Sequence, residues 1–128
     1  MVILDTCALI DLALELPTMG NEVLDLIEEG ATILSISFAE IACKIKIGKL
    51  DIGITSEELL NHYRLIPNIE IIDISPELWH KSISLDWEHR DPADRIVVAY
   101  ALQYNLKIVS SDKIIKKFYP NTIWQKDQ

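Results

Sequence analysis

The chain has 128 residues, 49% hydrophobic and 25% charged, which are the proportions of one globular domain and leave no room for two. Its 20 acidic residues against 12 basic ones give a net charge of −8, which excludes generic binding to a phosphate backbone through a basic surface. A nucleic-acid partner would require a bound divalent cation, a local basic patch or a basic protein partner to offset the repulsion. Apolar runs fall short of the roughly 18–20 residues needed to cross a bilayer. The N-terminus lacks a basic segment followed by a small-residue cleavage site. Cys7 and Cys43 are too few for a disulfide framework and show no zinc-type pairing with the three histidines. The expectation is one cytoplasmic domain over residues 1–128, with no membrane association, folding without disulfides.

Val2-Ile3-Leu4 reads as a short buried strand, followed by a helix over residues 8–14. A turn spans residues 17–21, and Val23, Leu24, Leu26 and Ile27 recur at helical spacing up to Gly30. Residues 32–36 read as a second strand. Ser37 then caps a helix ending near Gly48, and Thr55 caps another reaching Leu65, where Pro67-Asn68 breaks the pattern. Residues 70–74 include three isoleucines and read as a third strand. Ser75-Pro76 opens a helix to about Glu88, and Asp91-Pro92 opens one to about Tyr104. Residues 106–109 are a fourth strand, Asp112 starts a short helix to Phe118, and residues 122–124 form an edge strand. Strands alternate with helices and are apolar on both faces, so the fold expected is a three-layer α/β/α sandwich around a mostly parallel sheet.

Four carboxylates each have an ordinary explanation. Asp5 and Asp112 can cap helices, Ser37 and Glu40 have the spacing of a capping box, and Asp94 stands in the first turn after Asp91-Pro92. Their joint placement says more. Asp5, Glu40 and Asp112 each follow a predicted parallel strand, at the edge where open α/β sheets bind ligands, and Asp94 reaches that edge if its helix begins there. Acids converging without basic partners repel one another, and an oxygen-only set suits Mg²⁺ or Mn²⁺. Such a cage supports in-line phosphodiester cleavage by metal-activated water.

Five blocks in chain order carry a family resemblance: Ile3-Leu4-Asp5-Thr6-Cys7-Ala8-Leu9-Ile10, Ile36-Ser37-Phe38-Ala39-Glu40-Ile41, Lys46-Ile47-Gly48-Lys49-Leu50, His89-Arg90-Asp91-Pro92-Ala93-Asp94-Arg95, and Ile108-Val109-Ser110-Ser111-Asp112. Together they resemble the PIN domains, and among them the VapC ribonuclease toxins of toxin–antitoxin pairs. The resemblance implies a Mg²⁺-dependent endoribonuclease, with Mn²⁺ able to substitute, whose metal-binding acids are Asp5, Glu40, Asp94 and Asp112. Asp91 is an extra acid of the motif, open between binding a second ion and capping the helix. Ser110 stands where the family often has a hydroxyl that orients an acid or water. RNA as substrate, a VapB-like antitoxin from an adjacent gene, and a homodimer are implied as well. Cys7 and Ala93 depart from the residues usual at their positions, and neither is a ligand position.

Lys44, Lys46 and Lys49 follow Glu40 and can contact RNA phosphates or simply form a solvated face. Arg90 and Arg95 flank the acids and can offset their charge, hold substrate or form surface ion pairs. Cys7 reads as a small buried hydrophobe near the site, and His62, His80 and His89 as structural or surface residues. Trp79, Trp87 and Tyr100 fall on predicted helices and read as core or dimer contacts rather than base-stacking platforms. The alternatives are a catalytically inactive PIN-like module that binds RNA or protein, which the presence of all four acids disfavours, and a phosphotransfer domain of similar shape. Haloacid-type phosphatases require a second Asp two residues after the first, where this chain has Cys7.

Overall fold

The structure, a computed structural model, describes residues 1–14 and 17–125. Its elements are β1 (Val2–Leu4), α1 (Thr6–Leu12), α2 (Asn21–Glu29), β2 (Ala31–Leu34), α3 (Ser35–Lys46), α4 (Ser56–Arg64), β3 (Ile69–Ile72), α5 (Pro76–Ile83), α6 (Pro92–Tyr104), β4 (Lys107–Val109), α7 (Lys113–Phe118) and β5 (Thr122–Ile123). The strands form one sheet in the order β3-β2-β1-β4-β5, and every pairing is parallel. Leu4 on β1 stands opposite Ile33 on β2 and Val109 on β4.

The central strands are apolar throughout because helices cover both faces, and strand pleating decides which residue meets which layer. Val2, Leu4, Ile33 and Val109 pack with Leu9 of α1, Val23 of α2, Ile41 of α3 and Tyr63 of α4. Ile3, Leu34 and Ile108 point the other way, against Leu78 of α5, Ile96 and Val98 of α6, and Ile115 of α7. Ile3, Leu4, Ile33 and Leu34 are fully buried, each contributing about 1.5–3 kcal/mol of hydrophobic stabilisation. The chain winds through β1, β2 and β3 in one direction, then crosses back to place β4 on the other side of β1. The topological switch point therefore lies between β1 and β4. The Asp5 amide donates to the Val109 carbonyl at 3.3 Å, tying the two strand ends together at that edge.

The first helix and β3 each shift by one or two residues from expectation, and two further boundaries differ in ways that bear on the site. Strand β2 stops at Leu34 and α3 begins at Ser35, so Ser37 is inside the helix rather than its cap, and the expected Ser37–Glu40 capping box does not form. Ser37 is fully buried, its hydroxyl oxygen 3.2 Å from that of Thr6. The Thr55–Glu58 capping box of α4 does form.

The second difference is that α5 ends at Ile83 instead of near Glu88. Arg95 explains this. Its guanidinium Nε donates to the Ser82 carbonyl at 2.9 Å, Nη2 to Ile83 at 3.2 Å and Leu85 at 2.8 Å, and Nη1 to Trp87 at 2.6 Å and His89 at 2.8 Å. Carbonyls that a longer helix would bond internally are turned instead onto one planar five-donor fork. Arg95 is buried and pairs with no carboxylate among the described residues, which corrects the expectation that it offsets the charge of the acids or forms a surface ion pair.

Lysine carries a charge but not the fork. Arg95→Lys is therefore expected to leave several of these carbonyls unbonded and to destabilise the domain by about 3–5 kcal/mol, the cost of breaking a buried charged network. Urea unfolding followed by circular dichroism reads this; an unchanged midpoint would show that the clamp is dispensable.

Candidate active site

The three helix starts nearest the switch point are each capped by an acid. Asp5 caps α1, its Oδ1 accepting from the Ala8 amide at 2.9 Å. Asp112 caps α7, with Oδ1 accepting from Ile114 at 2.7 Å, and Asp91 caps α6, with Oδ1 accepting from the Asp94 amide at 3.1 Å. Capping explains where these residues sit and does not use them up, since each cap engages Oδ1. Asp94 is not a cap. Its Oδ2 bonds to His89 Nε2 at 2.7 Å.

Ser110 follows β4 and ties two of the acids together. Its hydroxyl is near enough to the Asp5 carboxylate to hold its pKa down, while its Oγ accepts from the Asp112 amide at 3.0 Å. Glu40 comes from α3, where the early helix start places it beyond the first turn. Thr6, the residue after Asp5, donates its hydroxyl to Glu40 Oε1. Glu40 is thus connected to the base of α1 through Thr6.

Electrostatics mark the same group. Asp5 is 2% exposed, and burial, reinforced by the charges of Asp94 and Asp112 and only partly countered by Ser110 and the Ala8 amide, pushes its pKa up from 3.8 to about 7. Burial likewise raises Asp94 from 3.8 to about 6, with Asp91 and Asp112 adding to the rise and the His89 hydrogen bond opposing it. Asp5, Asp94 and Asp112 therefore act on one another, and among the described residues no Lys or Arg forms an ion pair with them. Among the described residues the one ion pair is His89 with Asp94. His89, Asp91 and Asp94 each offer a ligand atom, all within 4.8 Å of one another. Carboxylates held in low dielectric with only one imidazole paired to them are a donor set that fits a divalent cation, because a bound ion would restore their ionised form.

The remaining candidates are distributed differently. Lys44 lies close enough for its charge to act on Cys7, whereas Lys46, Lys49 and Arg90 are exposed and bond to none of the acids. Cys7, expected to be buried, is exposed at the rim of the site. Atoms crowded around its thiol, and the charges of Asp5, Asp112 and Asp94, push it up to about 12, so it remains a neutral thiol. His62 and His80 are on the surface as expected. His89 is not simply a structural or surface residue: it is half-buried and joined to Asp94, brought there because Arg95 holds its carbonyl. Trp87, expected on a helix, lies in the α5–α6 connector. Thr6 was the other omission from the sequence reading. Its position after Asp5, at the first residue of a helix, was the available signal.

A family model of the PIN domain matches residues 2–119. No curated protein matches the chain. Among solved structures, it is similar to the sarcin-ricin loop cleaving toxin VapC20 of Mycobacterium tuberculosis, with TM-score 0.70 and 8% identity over 93% of this chain and 95% of that one. VapBC2 of Rickettsia felis, bound to a DNA fragment from its promoter, gives TM-score 0.66 and 21% identity over 98% of each chain. A toxin–antitoxin complex from Klebsiella pneumoniae gives TM-score 0.64 and 19% identity over 96% of each. These likenesses establish the shared fold.

The raised carboxyls make a stability prediction for the cation-free protein. Groups with pKa raised on folding hold protons that the unfolded chain has already released, so stability falls as pH rises from about 4 to about 7. For Asp5, the shift from 3.8 to about 7 corresponds to about 4 kcal/mol. In EDTA, Tm should therefore drop between pH 5 and pH 8. Asp5→Asn, which keeps a capping side chain, should flatten the drop and melt above wild type at pH 8. A wild-type Tm that rises over that range would contradict the placement of these acids.

Proposed function

This chain belongs to the PIN domain family, and on that premise we propose that it is a Mg²⁺-dependent endoribonuclease, the VapC-type toxin of a toxin–antitoxin pair. The observation that carries the proposal is the convergence of Asp5, Asp94 and Asp112 at the switch point, buried or half-buried, with no Lys or Arg paired to them among the described residues. Asp5, Asp94 and Asp112 would hold the cation, with Glu40 joining from α3 and Asp91 beside His89 available for a second one. An oxygen-dominated set of this kind suits Mg²⁺, and Mn²⁺ serves in its place. Bound there, a divalent cation supplies an activated water and charge to steady the leaving oxygen of a phosphodiester.

The chain's own residues do the positioning. Ser110 fixes Asp5 relative to Asp112, Thr6 orients Glu40, and the Arg95 clamp holds the connector so that the His89 ring meets Asp94. His89 also limits how Asp94 can turn. With a net charge of −8, the protein accepts RNA only where the cation and nearby lysines offset the repulsion. The partner is an antitoxin, and an Arg inserted among these carboxylates would pair with them and displace the ion. Support comes from the fold shared with toxin–antitoxin complexes. Exposed Ile83 on α5 and Leu102 on α6, helices packed on each other, offer apolar surface for a second copy of the chain.

Incubation with a mixed RNA pool should give Mg²⁺-dependent cleavage that EDTA abolishes. Asp5→Asn and Asp94→Asn should each lower the rate at least about 100-fold, the scale of removing one preorganised electrostatic group. Undiminished cleavage by both variants, from nuclease-free preparations, would overturn the proposal.

A further inference from the structure

Adjoining the acid site is a cavity of about 790 Å³ between the α5–α6 connector and α7. The two share His89, whose ring bonds to Asp94 and also lines the cavity. Exposure alternates along the connector, with Trp87 and His89 half-buried while Asp86 and Glu88 stand out at the rim. Trp87 stacks on Phe118 of α7 with ring centroids 4.5 Å apart and planes 13° from parallel, and lies 4.9 Å from the His89 ring. The result is a continuous aromatic wall ending at the acids.

The rest of the lining on α7, running back from Phe118, is Lys117, Ile114 and Lys113. Lys113 and Lys117 are four residues apart and so share a helix face. Neither makes a hydrogen bond or ion pair among the described residues, whereas Lys116 is tied to the carbonyls of Pro120 and Thr122. Ile114 between them is 51% exposed. Two uncommitted cations beside an acid cluster, in so acidic a chain, complement an anion that must approach that cluster. Aromatic faces accept any base, and phosphates pair with lysines. A basic peptide would instead meet Lys113 and Lys117 with like charge.

We propose that this cavity holds one nucleotide of a single-stranded RNA, next to the phosphate presented to the acids, its base against the Trp87–Phe118 wall and its backbone on Lys113 and Lys117. This rests on the ribonuclease reading above and adds where the strand runs. Asp86 and Glu88 at the rim can accept hydrogen bonds from a base's amino group, as carboxylates do from cytosine, which gives the cavity a means of preferring one base.

The test is fluorescence anisotropy of a short labelled single-stranded RNA in Ca²⁺, over a series of salt concentrations, with full-length protein. Lys113→Ala combined with Lys117→Ala should weaken binding and reduce the slope of log affinity against log salt by about 1.4, the loss of two phosphate contacts to a single strand. Trp87→Leu should weaken binding roughly tenfold with the slope unchanged. Lys81→Ala combined with Lys107→Ala, which removes the same charge from other parts of the surface, should keep both the affinity and the slope. Thermal melts confirm that each variant is folded. Unaltered affinity and slope in the Lys113/Lys117 variant would overturn the proposal, as would RNA binding kept intact while that variant no longer co-purifies with its co-expressed antitoxin, which would make the cavity a protein contact. RNA bound in the predicted way but not cleaved in Mg²⁺ would support this assignment while overturning the nuclease reading.

Discussion

A carboxylate buried at the end of a parallel strand is the constraint around which this molecule is arranged. Asp5 is 2% exposed and pairs with no Lys or Arg among the described residues. Its position follows from the sheet: β1 lies between β2 and β4, so the residue after Leu4 emerges at the switch point with helices above and below it. An unpaired charge there is costly to desolvate, and hydrogen bonds from the Ala8 amide and the Ser110 hydroxyl meet only part of that cost. Asp94 and Asp112 come to the same edge because α6 and α7 both start there. Their charges add to the cost. A fold that assembles acids in this way is under electrostatic strain until a cation or a basic partner arrives, a trade of stability for function common at active sites.

The surroundings restrain the acids without neutralising them. Ser110 links two acid-bearing turns through one hydroxyl, and Thr6 connects α1 to Glu40 on α3. Arg95 works at longer range. By collecting five carbonyls it ends α5, shapes the connector, and sets Trp87 and His89 on the side facing α7. Arg95, open in sequence between offsetting the acids, holding substrate and a surface ion pair, is found fixing the backbone beside the cluster. Stability of the connector and geometry of the His89–Asp94 pair consequently depend on the same side chain.

The layers of this fold were legible in the sequence because parallel strands covered on both sides must be apolar throughout, and Val2-Ile3-Leu4 and Ile108-Val109 have no other comfortable environment. Helix starts at Ser75-Pro76 and Asp91-Pro92 were legible because a cap followed by proline has few other uses. The β2–α3 junction was misplaced because Ser35 and Ser37 are both capable helix starters, and only the inward contact of Ser37 with Thr6 separates them. The end of α5 was not visible locally, being imposed by Arg95 from the next helix. Within the candidate site, the meeting of Asp5, Asp94 and Asp112 followed from strand and helix ends. The pairing of His89 with Asp94 is not legible in the sequence because its orientation depends on that distant clamp, nor is the exposure of Cys7, because a small apolar-like residue in a helix between Thr6 and Ala8 gives no local sign of facing outward.

The proposed role of these acids is to hold a divalent cation. Crystals grown with Mn²⁺, with anomalous diffraction collected at the manganese edge, test it most directly. An anomalous peak is expected within coordination distance of the Asp5 and Asp94 carboxylates, on the Asp112 side. No peak there at a Mn²⁺ concentration that supports RNA cleavage, or a peak confined to other surface acids, would contradict it.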